Sequence, residues 1–133
     1  MTVSFHNPPT APAPLADRYS NIAVIDLGTA TMLVLSGQVA FDHDGSLVGE
    51  DMVTQSEQVF RCIGALLAAH GAGFEHVVNI RTYLTDIGQI AEYAAVRRRY
   101  LTGTPPTSTT VEVPRLVLPD ALLEVDILAV VPR

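Results

Sequence analysis

The sequence predicts an α+β sandwich in which one mixed or antiparallel sheet carries two helices on one face. Three observations predict it. Runs rich in β-branched residues occupy 21–28, 31–41 and 121–131, two segments repeat apolar residues at three- and four-residue steps, and an alternating run separates those segments. With a further strand at 107–113, the order is β-β-α-β-α-β-β in a single domain covering 1–133.

Residues 1–17 read as an extended, Pro-rich N-terminal arm, because "NPPTAPAPL" at 7–15 holds four prolines, which fix φ and remove donors. "NIAVIDLG" and "TMLVLSGQVAF" then form an antiparallel hairpin, followed by the acidic loop "DHDGSLVGED". Within 52–70, Val59, Cys62, Ile63, Leu66 and Leu67 mark one helical face that Gly71 or Gly73 terminates. Cys62 lies on that face and reads as a buried small hydrophobe. "HVVNIRTYLTD" alternates, with Val78, Ile80 and Leu84 pointing one way and Asn79, Arg81 and Tyr83 the other. A second helix follows, its apolar face assigned to Ile87, Ile90, Ala94 and Leu101. Arg97, Arg98 and Arg99 crowd its C-terminal end, where cations oppose the negative end of the helix dipole. In "ALLEVDILAVV", Ala121, Leu123, Val125, Ile127 and Ala129 form an apolar face, and Glu124 and Asp126 lie on the opposite one.

Composition narrows the function. With 48% hydrophobic and 17% charged residues, a mean hydropathy of +0.30 is high for a monomer of this size. Two helices cover one sheet face, so the other is expected to meet a partner subunit. A net charge of -6 opposes nucleic-acid and membrane-surface roles, and no stretch approaches the roughly 18 apolar residues of a span. The N-terminus lacks a basic and apolar leader, so a cytoplasmic protein is expected. One cysteine excludes an intrachain disulfide, and the four histidines are too scattered for a metal-binding motif.

Glu124 stands inside an apolar strand, where a carboxylate is costly unless it is paired, solvated or used; it is read either as a solvent-facing residue or as a base beside a cleft. In "PPTSTTVEV", Ser108, Thr110 and Glu112 share one face and Thr107, Thr109 and Val111 the other. Nothing nearby in sequence activates these hydroxyls as nucleophiles, and a threonine-rich strand is itself ordinary. Tyr19 and Ser20 precede the first strand without an evident core role.

From "RYSN" at 18–21, through "SGQ" at 36–38, Gln55, "AAHGAGFEHVV" and "RTYLTD", to "PPTSTTVEV" and "LEVDILAV", the chain resembles the YjgF family, also called the Rid or reactive intermediate deaminase family. The resemblance covers nearly the whole chain. It implies a chorismate-mutase-like fold, a homotrimer with sheets packed as a barrel, and ligand sites in clefts between subunits. It also implies hydrolysis of enamines and imines with no metal and no organic cofactor. Glu124 would orient the water, while Tyr19, Ser108 and Thr110 would shape the pocket. The family pattern Pro-x-Arg-Ser/Thr-x-Val-x-Val places Ser108 where an arginine would pair with a substrate carboxylate. Losing such a contact costs about 1.5–3 kcal/mol. The Gly-Pro-Tyr-Ser entry pattern reads Asp17-Arg18-Tyr19-Ser20, and one residue more than the pattern separates Arg115 from Glu124. Two expectations follow from the missing arginine: Arg18 replaces the guanidinium from another direction, or, as favoured, the ligand is larger or less anionic than a small 2-imino acid. A non-catalytic ligand-binding or regulatory trimer is the alternative, and an endoribonuclease is disfavoured by the acidic charge.

Overall fold

Alternating side chains assemble one six-stranded sheet in the computed structural model, which describes all 133 residues. Strands β1 (Thr2–His6), β2 (Ile22–Asp26), β3 (Ala30–Leu35), β4 (Val77–Leu84), β5 (Thr107–Glu112) and β6 (Leu123–Pro132) lie in the order β1-β2-β3-β6-β4-β5. β4 and β5 are parallel and every other neighbouring pair is antiparallel. The parallel pair requires a crossover, which helix α2 (Ile90–Tyr100) supplies, whereas α1 (Met52–Ala68) joins β3 to β4. The sheet is mixed and the α+β architecture is as expected, with one strand more than the sequence predicted. That strand, β1, lies within residues 1–17, expected as an extended, Pro-rich arm: Thr2–His6 add to β2 as an edge, with all five residues exposed.

Both helices pack on one face. Ile22, Leu33, Leu35, Ile80, Leu84, Leu123, Val125, Ile127 and Ala129 meet Val59, Ile63, Leu66 and Leu67 of α1 and Tyr93 and Val96 of α2 in a single core. α1 begins where the Asp51 carboxylate accepts from Thr54 N, and past its end Gly71 takes the left-handed φ of +68°. Cys62 is buried, and desolvation pushes its thiol up to about 11, so it stays protonated and packs as a hydrophobe.

Two face assignments are corrected. Val78 is 44% exposed rather than on the core side with Ile80, because the pairing of β4 with β6 slips between Val77 and Asn79 and leaves Val78 as the extra residue of a bulge. In α2, Ile87 and Ile90 are exposed; Ile87 sits in a 3₁₀ turn that precedes the helix. The inward face is aromatic instead. Tyr93 is buried with its hydroxyl 2.5 Å from that of Thr82, and Tyr100 donates to the Glu57 carboxylate at 2.6 Å, so the rings fill the core while their polar ends stay satisfied. They stack with Phe60, centroids 6.2 and 5.1 Å away.

The opposite sheet face has two sectors. Phe5, Ala23, Val34 and Leu128 are successive cross-strand partners, as are Val3, Ile25, Met32 and Val130, and together they form an apolar band. Beside it lie Arg81 paired with Asp126, and Tyr83 paired with Glu124.

One buried side chain clamps the loop that feeds β6. Gln55 donates to Gly49 O at 3.1 Å and Asp120 O at 3.0 Å, and accepts from Leu122 N at 2.8 Å. Gln55→Leu keeps the volume and strands these backbone groups, so urea unfolding is expected to show a loss of about 2–3 kcal/mol. A midpoint equal to that of the parent would show that the clamp does not stabilise the fold.

Candidate functional site

The end of β3 and the start of β6 are tied together by a reciprocal backbone pair: Gln38 N donates to Val125 O at 2.8 Å, and Val125 N to Gln38 O at 3.0 Å. This pairing lays Gly37 directly beneath Glu124. A Cβ at Gly37 would lie 2.7 Å from Glu124 Cδ and 2.9 Å from Cγ, a spacing that only glycine tolerates without moving the carboxylate. The Gln38 side chain donates to Ser36 O at 3.0 Å and to Asn21 Oδ1 at 3.4 Å. Asn21, itself buried, donates through Nδ2 to Pro12 O at 2.9 Å and through its backbone N to Asn7 Oδ1 at 2.8 Å. Ser36 completes the tie by donating from Oγ to Ser20 O at 2.6 Å. The motifs "RYSN" and "SGQ" are therefore one hydrogen-bonded assembly that fastens the proline-rich arm over the sheet.

The arm delivers Tyr19. Ala16 and Asp17 adopt positive φ values of 54° and 53°, a left-handed pair that turns the chain back on itself, and Leu15 N then donates to Tyr19 Oη at 3.2 Å. Leu15, Tyr19, Ser36, Gly37, Val117 and Glu124 line a cleft of about 230 Å³, with Val39, Phe41 and Leu118 completing its wall. One charged residue thus sits in a mostly apolar lining.

Burial raises the Glu124 carboxyl above its ordinary 4.5, and the negative charge of Asp126 on the same face adds to the effect. Asp126 is held separately: Arg81 Nε donates to its Oδ1 at 2.7 Å, which raises the guanidinium further. Glu124 has no protein hydrogen-bond partner, leaving its lone pairs available to a molecule in the cleft. The chain contains no lysine for a Schiff base, and its one thiol is buried and protonated. What the arrangement can do is direct a water and carry its proton.

The structure thus brings Tyr19 and Glu124 together, but not the remaining candidates. Arg18 is exposed, makes no ion pair and does not line the cleft. Ser108 pairs in register with Ile80 and Thr110 with Thr82, so both hydroxyl residues face the helix side of the edge strand β5. Glu124 pairs with Tyr83 on the other side, so Ser108 and Thr110 do not share its cleft within one protomer. Arg97, expected only to oppose the helix dipole, donates from Nη1 to Ser108 Oγ at 3.0 Å. The contacts of Gly37 with Glu124 and of Arg97 with Ser108 escaped the sequence reading because neither is set by local spacing.

Comparison with known proteins agrees with the fold. The family model described as Endoribonuclease L-PSP matches residues 9–131. Protein DfrA of Myxococcus xanthus is 40% identical over 113 residues, covering 84% of each chain. A RutC family protein of Synechocystis is 34% identical over 135 residues, covering 99% of each. A Salmonella typhimurium protein named 2-iminobutanoate/2-iminopropanoate deaminase is 28% identical over 132 residues, covering 97% of this chain and 96% of its own. Among solved structures, yeast YEO7 superposes with a TM-score of 0.88 at 28% identity, covering 99% of this chain and 100% of that one. YyfA of Yersinia pestis, described as a member of the conserved Rid protein family, superposes at 0.85 with 28% identity, covering 96% and 98%.

Two outcomes are expected of the cleft. Gly37→Ala meets the movable end of a side chain, so it should leave the melting temperature within about 2 °C while displacing the Glu124 carboxylate; a changed ligand affinity at unchanged stability would be the signature. Because the folded-state pKa of Glu124 is raised, the folded protein binds the proton more tightly than the unfolded chain. The contribution of this group to stability is fully present at pH below the unfolded value near 4.5 and is lost as pH rises through the folded value. Glu124→Gln removes that decline, so thermal melts at neutral pH should place the variant above the parent, and a lower melting temperature would contradict the burial argument.

Proposed function

Because this chain belongs to the Endoribonuclease L-PSP family, also called the YjgF or Rid family, we propose that it hydrolyses an imine or enamine intermediate to the corresponding carbonyl compound and ammonia. The observation that carries the reading is a half-buried, unpartnered carboxylate of raised pKa in a small, mostly apolar cleft that Tyr19 also lines. The activity named for the Salmonella relative supports it. Glu124 takes a proton from water as the oxygen adds to the imine carbon, forming a carbinolamine. With the imine protonated on nitrogen at the outset, the carboxyl then delivers that proton to the carbinolamine nitrogen, the C–N bond breaks, and the carboxylate takes the hydroxyl proton as the oxygen forms the carbonyl and ammonia leaves; the carboxyl finally loses its proton to solvent. A raised pKa makes the carboxylate a stronger base towards water than an ordinary glutamate. Tyr19, whose oxygen already accepts from Leu15 N, retains its O–H to donate to the substrate.

We assign the apolar band on the uncovered sheet face to contact between copies, as a homotrimer whose neighbouring protomers bring the Ser108 and Thr110 edge towards the Glu124 cleft. The second reading is a non-catalytic binding trimer, favoured by serine at position 108. An endoribonuclease is opposed by the net charge of -6. The test is ammonia release from freshly generated 2-aminoacrylate and from larger enamine acids. Glu124→Ala should lower kcat about 10²–10⁴-fold. Equal rates for the parent and this variant on every substrate would overturn the catalytic role, and ligand-induced thermal shifts without turnover would establish the second reading.

A further inference from the structure

The four histidines are scattered in the sequence, yet the fold sets two of them in contact. His6 ends the edge strand β1 and His70 follows the last turn of α1; their ring centroids lie 5.4 Å apart with the planes at 67°. His6 is the cross-strand partner of Ile22, a core residue, so it lies on the helix side of the sheet, away from the apolar band. Each ring has one nitrogen held by the protein. His70 Nδ1 lies 3.0 Å from Leu66 O, which can only accept, so Nδ1 carries the proton and Nε2 keeps its lone pair. His6 Nε2 lies 2.9 Å from Ser4 Oγ, and donation from Nε2 to that hydroxyl leaves the lone pair on Nδ1. Both rings line one surface cavity of about 390 Å³, together with Asn7 and Thr10. This cavity shares no lining residue with the Glu124 cleft.

Two imidazoles that each offer one lone pair, with the other nitrogen fixed by a hydrogen bond, suit a divalent transition-metal ion. With metal–nitrogen bonds of about 2.0–2.1 Å, two rings sharing a tetrahedral ion have centroids about 5 Å apart, close to the spacing found. No arginine lines the cavity, so an anion would meet no fixed cation there, and a chain of net charge -6 favours a cation. We propose that His6 and His70 bind one divalent transition-metal ion of the zinc, nickel and copper group, with water in the remaining positions, and that the ion staples β1 to the end of α1. The staple bears on the arm as well. Asn7, next to His6, accepts from Asn21 N at 2.8 Å and so begins the network that fastens the arm over the sheet.

The test is calorimetry of the full chain, stripped with a chelator, against zinc chloride and nickel chloride. The parent should bind one ion per chain. His6→Ala and His70→Ala should each weaken binding about 10- to 100-fold with circular dichroism unchanged, and His43→Ala should retain full affinity. Zinc at ten times its dissociation constant should raise the melting temperature of the parent by about 5 °C. Hydrogen exchange supplies the readout specific to the staple: zinc should slow the amides of β1 in the parent and leave them unchanged in His70→Ala. No binding by the parent, or affinity retained in both His6→Ala and His70→Ala, overturns the site. Binding that leaves the exchange of β1 unaltered overturns the staple.

Discussion

The reciprocal backbone pair between Gln38 and Val125 is the junction on which both the fold and the cleft depend. It joins segments 87 positions apart in the numbering, which makes β3 and β6 neighbours at the end of the sheet where the site lies. Its position lays Gly37 against the Glu124 side chain with no room for a methyl group. The side chain of Gln38 then reaches Asn21, and through Asn21 the proline-rich arm and Tyr19 are held over the same place. A slip of one residue in this pairing would turn Glu124 into the core and Val125 out of it.

The cleft sits where the sheet departs from simple burial. Leu123, Val125 and Ile127 face the helices, while the two carboxylates between them face away. Asp126 is ion-paired with Arg81. Glu124 receives no cation, and its neighbour's charge adds to the desolvation that already favours its protonated form. Two acids of one strand face are thereby separated in behaviour by a single ion pair, and the one left unpaired is the one beside Tyr19 and the cavity. Stability is given up where the proton is wanted.

The strained turn at Ala16 and Asp17 belongs to the same pattern. Neither residue is glycine, yet both hold left-handed backbone, and the network of Asn7, Asn21, Ser36 and Gln38 over-determines the path around them. On the far edge of the sheet, Arg97 and Ser108 form a second, separate polar pair. The two sets lie on opposite faces of one protomer, which is why an assembly of copies is part of the proposed function.

Local pattern made most of the fold legible. Runs rich in β-branched residues identified β2, β3, β5 and β6, alternation identified β4, and the three- and four-residue steps identified α1 with its correct inward face, because these signals arise within a few residues of one another. Glu124 and Tyr19 were legible for a related reason: a carboxylate in an apolar strand and a tyrosine with no core role stand out locally. The failures share a cause as well. The edge strand β1 exists only because β2 offers it an unpaired edge, and the bulge that exposes Val78 exists only in its pairing with β6. The inward face of α2 went to Tyr93 and Tyr100 because their hydroxyls found Thr82 and Glu57, partners invisible from the helix itself. The sequence by itself determined which residues are chemically unusual, since charge, volume and periodicity are properties of the chain. Which of them meet was decided only by the tertiary structure. The seating of Glu124 on Gly37 and the contact of Arg97 with Ser108 depend on strand register and helix placement, and no local spacing encodes either.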